Sequence, residues 1–340
     1  MTVVDSTATE AARDPSGGPR LYKGAVSTTS VDVGDRQKTA QRLLRSTADR
    51  SYDGELDIDW DAPIVEGAPW IPIHRLTLRG TEHWDKLTDE QKRLLTMYEA
   101  VAVLSYGIFA EVALSTNLMR GVLRNPGFVD DHTRYALAEV AEETRHSTMF
   151  GRLINKTGLK PYKQPKAVLK FFRFVGFVPM GPAIYAGTLL IEEVLDRLQR
   201  EGMMDETLQP HFRQLMKIHI LEEARHITYA REELVRSIQA RGRMSNAAHR
   251  VAFALMVNFV QEQIIDPRVY RSVGLSPLRG MIDARRSPQF KETGQFMAGP
   301  LLEFLYDAGM IKGPVTTRLY KLSGALPPDL RAKVDADRRR

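Results

Sequence analysis

Cysteine is missing from all 340 residues of the chain. That absence excludes disulfides, iron–sulfur clusters, thiolate zinc sites and cysteine nucleophiles. Any bound metal is therefore held by His, Asp, Glu or backbone oxygen. Aromatic residues are few, at 8%, with three tryptophans. No run of period-two apolar alternation marks a strand, and no flavin or nicotinamide fingerprint occurs. Helix-turn-helix, zinc-finger and RNP-like aromatic patterns are also lacking. The excess of 48 Lys and Arg over 42 Asp and Glu gives a net charge of only +6. Both signs are interleaved, which fits a solvated basic surface and no nucleic-acid partner. The opening MTVVDSTATE has no apolar core of a secretory signal, so the expected compartment is the cytoplasm. Phe174–Ile191 is 18 residues without a charge, close to the length of a membrane span. Its prolines and glycines, with Pro182 suited to a first helical turn, favour a loop and a buried helix start, with no membrane crossing.

Apolar residues at 43% and charged residues at 26% are ordinary for a soluble globular chain of this length. Residues 1–34, rich in Ser, Thr, Gly and Asp, read as a disordered tail. A helix is expected near 35–50. Residues 53–80 carry Trp60, Pro63, Pro69, Trp70 and Pro72, the signature of an irregular segment docked on a core. Thr88 followed by Gln91 is a capping box. The helix it starts runs to about 124, with an inward stripe of Leu104, Ile108, Glu111, Ser115, Leu118 and Val122. Asn125-Pro126-Gly127 breaks it, and Asp130 or Asp131 caps the next, which ends near Thr157-Gly158. Further helical patterns cover 165–175, 183–201, 208–241 and 245–265, followed by shorter helices and loops. The expected organisation is all-α. It has one helical domain over 35–315, core helices at about 88–265, extra helices at both ends, and a C-terminal tail over 316–340.

The chemistry is carried by an internal echo. Residues 142–148 read Glu-Glu-Thr-Arg-His-Ser-Thr, and residues 222–228 read Glu-Glu-Ala-Arg-His-Ile-Thr. Each is preceded by a helix bearing a carboxylate: Glu111 lies 32 residues before Glu143, and Glu192 lies 31 before Glu223. Glu193 competes with Glu192 for that place. On a helix, positions i and i+3 lie about 60° apart, so Glu143 and His146 share a face, as do Glu223 and His226. His219, four residues before Glu223, falls on the same face, where the first copy has Glu139. A duplicated helix pair of this kind puts four Glu and two or three His at mid-bundle, the carboxylate-bridged dinuclear site of ferritin-like bundles. Such oxygen and nitrogen donors suit iron or manganese. Arg145 and Arg225 are expected in surface pairs, while Glu142, Glu222 and Glu193 neighbour the ligands in sequence and are expected to point elsewhere, at most touching a ligand from outside. Tyr106, Tyr185 and Tyr229 are expected as packing residues.

The full order is Glu111, Glu143-Thr-Arg-His146, Glu192, then His219-Ile-Leu-Glu-Glu223-Ala-Arg-His226. It resembles the p-aminobenzoate N-oxygenase (AurF-type) family, over roughly residues 90–265. The resemblance implies seven metal ligands, Glu111, Glu143, His146, Glu192, His219, Glu223 and His226. It also implies two Fe ions (with Mn as an alternative) and O2 as co-substrate. The activity implied is O2 activation through a peroxo-diiron species and oxygenation of a small-molecule amine towards hydroxylamine, nitroso and nitro products. Electrons would come from an external reductase, and a homodimer stays open. Two other readings remain at this stage. One is a metal-storage bundle. The other is a hydroxylase, desaturase or radical-generating diiron protein, although Phe150 stands where a radical-storing subunit would carry tyrosine.

Overall fold

The computed structural model describes residues 33–125, 127–263 and 266–339. Of the expected tail over 1–34, residues 1–32 lie outside the described residues. Among the described residues there is no strand, and thirteen α-helices are present. They are α1 (Arg36–Asp49), α2 (Glu82–Lys86), α3 (Asp89–Val122), α4 (Asp131–Thr157), α5 (Lys166–Val175), α6 (Pro182–Glu192), α7 (Asp196–Met204), α8 (Pro210–Gln239), α9 (Arg243–Gln263), α10 (Pro277–Arg286), α11 (Pro288–Asp307), α12 (Pro314–Ser323) and α13 (Pro328–Arg339).

The chain's punctuation accounts for the boundaries. Thr88 accepts from Gln91 N while the Gln91 side chain returns to Thr88 N, completing the capping box of α3. Asp130 caps α4 by accepting from Thr133 N, and Gly158 ends it at φ 75°, a left-handed conformation that glycine adopts without strain. Proline opens α6, α8, α10, α11, α12 and α13. The helix expected over 183–201 is interrupted. Turn residues 193–195 separate α6 from α7.

Helices α3 and α4 pack as one pair and α6 and α8 as a second, so the duplicated motif is also a duplicated hairpin within a ferritin-like bundle. α3 is long and apolar enough to cross a membrane on length and composition alone. Its inward face nevertheless carries the buried acids Glu99 and Glu111, as a bundle-centre helix with a polar site requires. The Phe174–Ile191 stretch divides into the end of α5, a loop and α6, whose Ala183, Ile184, Ala186 and Leu189 are buried.

The irregular segment before α3 docks through its tryptophans. Trp60 and Trp70 are buried with Ile58, Leu76 and Leu78 against α3, α4 and α8. Lys156 of α4 donates to the carbonyls of Trp60 and Ala62, and Gln209 bonds the backbone of Val65 and Ala68. The expected tail over 316–340 is instead structural. Helices α12 and α13 place Tyr320, Leu330 and Val334 in the cluster formed by α6, α9 and α11. The high polar content of 328–339 hid one apolar stripe at helical spacing, Leu326, Leu330 and Val334.

Glu99 joins the segment before α3 to the bundle. It accepts from Thr77 N and Thr77 Oγ1, and the Tyr270 hydroxyl lies 2.9 Å from the same Oγ1. Burial raises its pKa from 4.5 to about 7, against the lowering effect of those hydrogen bonds. The folded state therefore binds this proton more tightly than the unfolded state. The stabilisation is complete below pH 4.5 and is lost as pH rises through about 7. Glu99→Gln should remove a pH-dependent loss on the order of 3 kcal/mol between pH 5 and 8. Urea unfolding at both pH values measures it, and equal slopes in the two proteins would show that Glu99 is not the titrating group.

Candidate metal centre

The two helix pairs bring all seven expected side chains together. Glu111, His146, His219 and Glu223 each offer a donor atom within 4.8 Å of the others. Glu143, Glu192, Glu223 and His226 form a second such group, and Glu223 belongs to both. Every one of the seven is buried. The ambiguity between adjacent acids resolves towards Glu192, since Glu193 is engaged in a two-point pair with Arg231.

The carboxylate oxygens are divided between the groups. Glu223 Oε1 lies 3.1 Å from His146 Nδ1 and 3.3 Å from His219 Nε2, while its Oε2 lies 3.2 Å from His226 Nδ1. Glu143 does the same, with Oε2 3.1 Å from His146 Nδ1 and Oε1 2.8 Å from His226 Nδ1. Each of these two acids thus faces both positions, as a bridging carboxylate must. Glu111 lies at one position only, 3.4 Å from His219 Nε2, and Glu192 at the other.

This donor set fits a pair of hard divalent cations. Among the described residues, Glu111 Oε2, Glu143 Oε1, Glu192 Oε1 and Glu223 Oε1 are buried without a hydrogen-bond partner. Such orphaned charge costs several kcal/mol per group unless a cation meets it. Burial, and then the charges of Glu143 and Glu223, push Glu111 well above the ordinary carboxylate range. Burial also raises Glu143, but His226 and His146 outweigh it and hold this carboxyl well below that range. Burial holds His219 neutral, well below the usual imidazole value, with His146 adding to the effect.

The imidazole orientations suit metal binding. His146 donates through Nε2–H to Glu222 at 2.9 Å, and His226 donates through Nε2–H to Glu142 at 2.8 Å. Nδ1 of both rings is left facing the centre. His219 is reversed: its Nδ1–H donates to Gln199 Oε1 at 2.9 Å, so Nε2 faces the centre. Hydrogen bonds of this kind fix the tautomer and aim the lone pair.

Here the structure corrects the sequence reading. Glu142 and Glu222 do not point elsewhere, and Arg225 is not on the surface. Each glutamate reaches across to the histidine of the other motif copy, so α4 and α8 hold each other's ligands. Arg225, 5% exposed, donates to Glu142 at 2.6 Å, and half-buried Arg145 donates to Glu222 at 3.1 Å. The echo Glu-Glu-x-Arg-His contained all four residues. Angles on a single helix gave no indication of the exchange, because the partner sits on another helix. Gln199 had no sequence signal at all, since it depends on the break between α6 and α7.

The symmetry fails at one place. Glu139, in the position matching His219, is fully buried, and neither of its carboxyl oxygens has a partner among the described residues. Burial raises its pKa to about 8, which keeps it a neutral acid at pH 7. It belongs to neither donor group. Phe150 packs with its ring centroid 5.0 Å from that of His219. It fits because Gly107 lacks a Cβ, which would stand 2.9 Å from the Phe150 ring. Tyr229 packs against Tyr135 and His132, as expected of a core residue. A cavity of about 200 Å³ reaches the centre on one side, where Glu111, Glu192 and His219 form part of its wall.

The exchanged pairs predict site-selective defects. Glu142→Ala should weaken, by about 10- to 100-fold, the ion beside His226 and Glu192, and Glu222→Ala the ion beside His146 and His219. Stepwise chelator titration of the two variants should show opposite ions leaving first. Loss of the same ion in both would contradict the exchange.

The family described as p-aminobenzoate N-oxygenase AurF matches residues 33–309. Uncharacterized proteins of Mycobacterium bovis and Mycobacterium tuberculosis are 26% identical over 249 residues, covering 70% of this chain and 73% of theirs. Among solved structures, one R2-like ligand-binding oxidase variant with an aerobically reconstituted Mn/Fe cofactor aligns at 12% identity with a TM-score of 0.44. That alignment covers 86% of this chain and 93% of the oxidase. An anaerobically reconstituted variant aligns at 14% identity and 0.42, covering 88% and 93%.

Proposed function

The chain belongs to the p-aminobenzoate N-oxygenase AurF family, and from that premise we propose that it is a non-haem diiron monooxygenase that uses O2 to oxygenate the nitrogen of a small-molecule amine. One observation carries the reading. Two donor groups that share Glu223, with Glu143 facing the histidines of both, stand at the end of a cavity that shares Glu111, Glu192 and His219 with them. A storage bundle needs no such cavity beside its metals.

Iron at these positions would supply the redox chemistry of O2 activation, and the same donors would accept manganese. The chain's own residues would do the rest. Glu143 and Glu223, which face both positions, would hold the two ions. Glu111, His146 and His219 would serve one position, and Glu192 and His226 the other. Glu142, Glu222 and Gln199 keep the three imidazoles oriented. The cavity excludes water and holds the amine against the open side of the centre. Electrons come from an external donor, as the lack of any flavin or nicotinamide fingerprint in the sequence requires.

His219 distinguishes this centre from a six-ligand one. A neutral imidazole tunes reactivity more than it holds charge, so His219→Ala should keep most of its iron and lose most turnover. The test is an O2-electrode screen of aryl and alkyl amines on iron-loaded, reductant-supplied protein, with products identified by mass spectrometry. Hydroxylamine, nitroso or nitro products from the wild type support the reading. Oxygen inserted only at carbon would replace it with hydroxylase activity. A His219→Ala protein with normal turnover but a lower melting temperature would reduce that residue to packing.

A further inference from the structure

The cavity beside the centre specifies what kind of molecule fits it. Among the described residues its charged lining residues are Glu111 and Glu192, both on the centre, and Lys291. Glu111, Glu192, His219 and Phe150 are buried, whereas Lys291 and Gly324 are exposed, so the cavity runs from the centre to the surface. Between these ends the wall is mostly apolar, with Leu104, Leu190, Leu195, Val257 and Met297 among its residues and Tyr106 and Gln295 as further polar side chains. Along α3 the lining extends from Ala100 to Glu111, eleven residues, or about 17 Å at helical rise. The imidazole of His219 and the amide of Gln199 are already bonded to each other. Gln261 Oε1 is buried in the lining without a partner among the described residues, and it can accept one hydrogen bond from a ligand.

A carboxylate a ring's width from the reacting nitrogen would sit in this mostly apolar region with no cation beside it, which is costly. An apolar body would gain on every group it buries. We infer that the substrate is an elongated, predominantly apolar amine that carries no acid near its reacting end, and that an aminobenzoate-like compound is a poor ligand. This rests on the proposed amine chemistry only for the reacting end. The length and apolarity of the body follow from the wall.

Gly294 on α11 provides a clean probe. It lines the cavity, and a Cβ added there meets nothing within 4 Å. Gly294→Leu would enter open space, and leucine favours a helix over glycine, so the melting midpoint should not fall. The experiment is isothermal titration of the full chain, iron-loaded under anaerobic conditions, with aniline, 4-butylaniline, 4-hexylaniline, 4-octylaniline and 4-aminobenzoate. Octylbenzene serves as the amine-free control. Affinity should rise about three- to fourfold per buried methylene, and 4-aminobenzoate should bind at least 100-fold more weakly than 4-octylaniline. Gly294→Leu should lose at least tenfold for 4-octylaniline and leave aniline unchanged. A flat alkyl series, tighter binding of 4-aminobenzoate, or an unaffected octylaniline affinity in Gly294→Leu would each overturn the inference. Binding and catalysis separate cleanly. A steep alkyl series without nitrogen oxidation would refute the N-oxygenase reading and leave this one standing. Efficient oxidation of 4-aminobenzoate with a flat series would do the reverse.

Discussion

Charge neutrality at the centre of the bundle is the constraint on which the rest of the structure depends. Glu111, Glu143, Glu192 and Glu223 are buried together, and among the described residues no hydrogen-bond donor serves one oxygen of each. Two divalent cations held there would neutralise those four carboxylates. Around them, Glu142 and Glu222 are balanced by Arg225 and Arg145. Burial raises the pKa of Glu139, which favours its neutral form. Each layer thus balances by itself, and a buried site of this size is tolerable only on that condition.

The outer layer also ties the two halves of the molecule together. Because Glu142 serves His226 and Glu222 serves His146, neither helix pair can orient its ligands without the other. A duplicated hairpin becomes one centre through that exchange. The two positions are nonetheless unequal. His219, held by Gln199, serves one of them, while its counterpart Glu139 stays neutral and outside the other. The cavity meets the centre on the side that carries His219.

The sequence revealed the layer that obeys helical geometry and concealed the layer that depends on tertiary contact. Spacing within one helix was enough to align Glu143 with His146, and Glu223 with His219 and His226. The capping residues Thr88 and Asp130 marked where α3 and α4, the helices of the first pair, begin. The exchange between α4 and α8 was not legible, because a residue that points away from its own helix's site can point into a neighbour's. Gln199 was hidden for a similar reason, since α7 approaches His219 only after the break at 193–195. The end of the chain, expected as a tail, forms helices α12 and α13. Its charges outnumber its apolar residues, yet Tyr320, Leu326, Leu330 and Val334 suffice to anchor it in the core.

The central claim is that this polar core is a dinuclear metal centre with Glu223 shared between its halves. Metal analysis of the full chain, purified from cells grown with ample iron and manganese and compared with Glu223→Ala, tests it directly. The account predicts two iron or manganese ions per wild-type chain and a cooperative loss of both in the variant. One ion per chain, zinc alone, or full retention of metal in Glu223→Ala would contradict it.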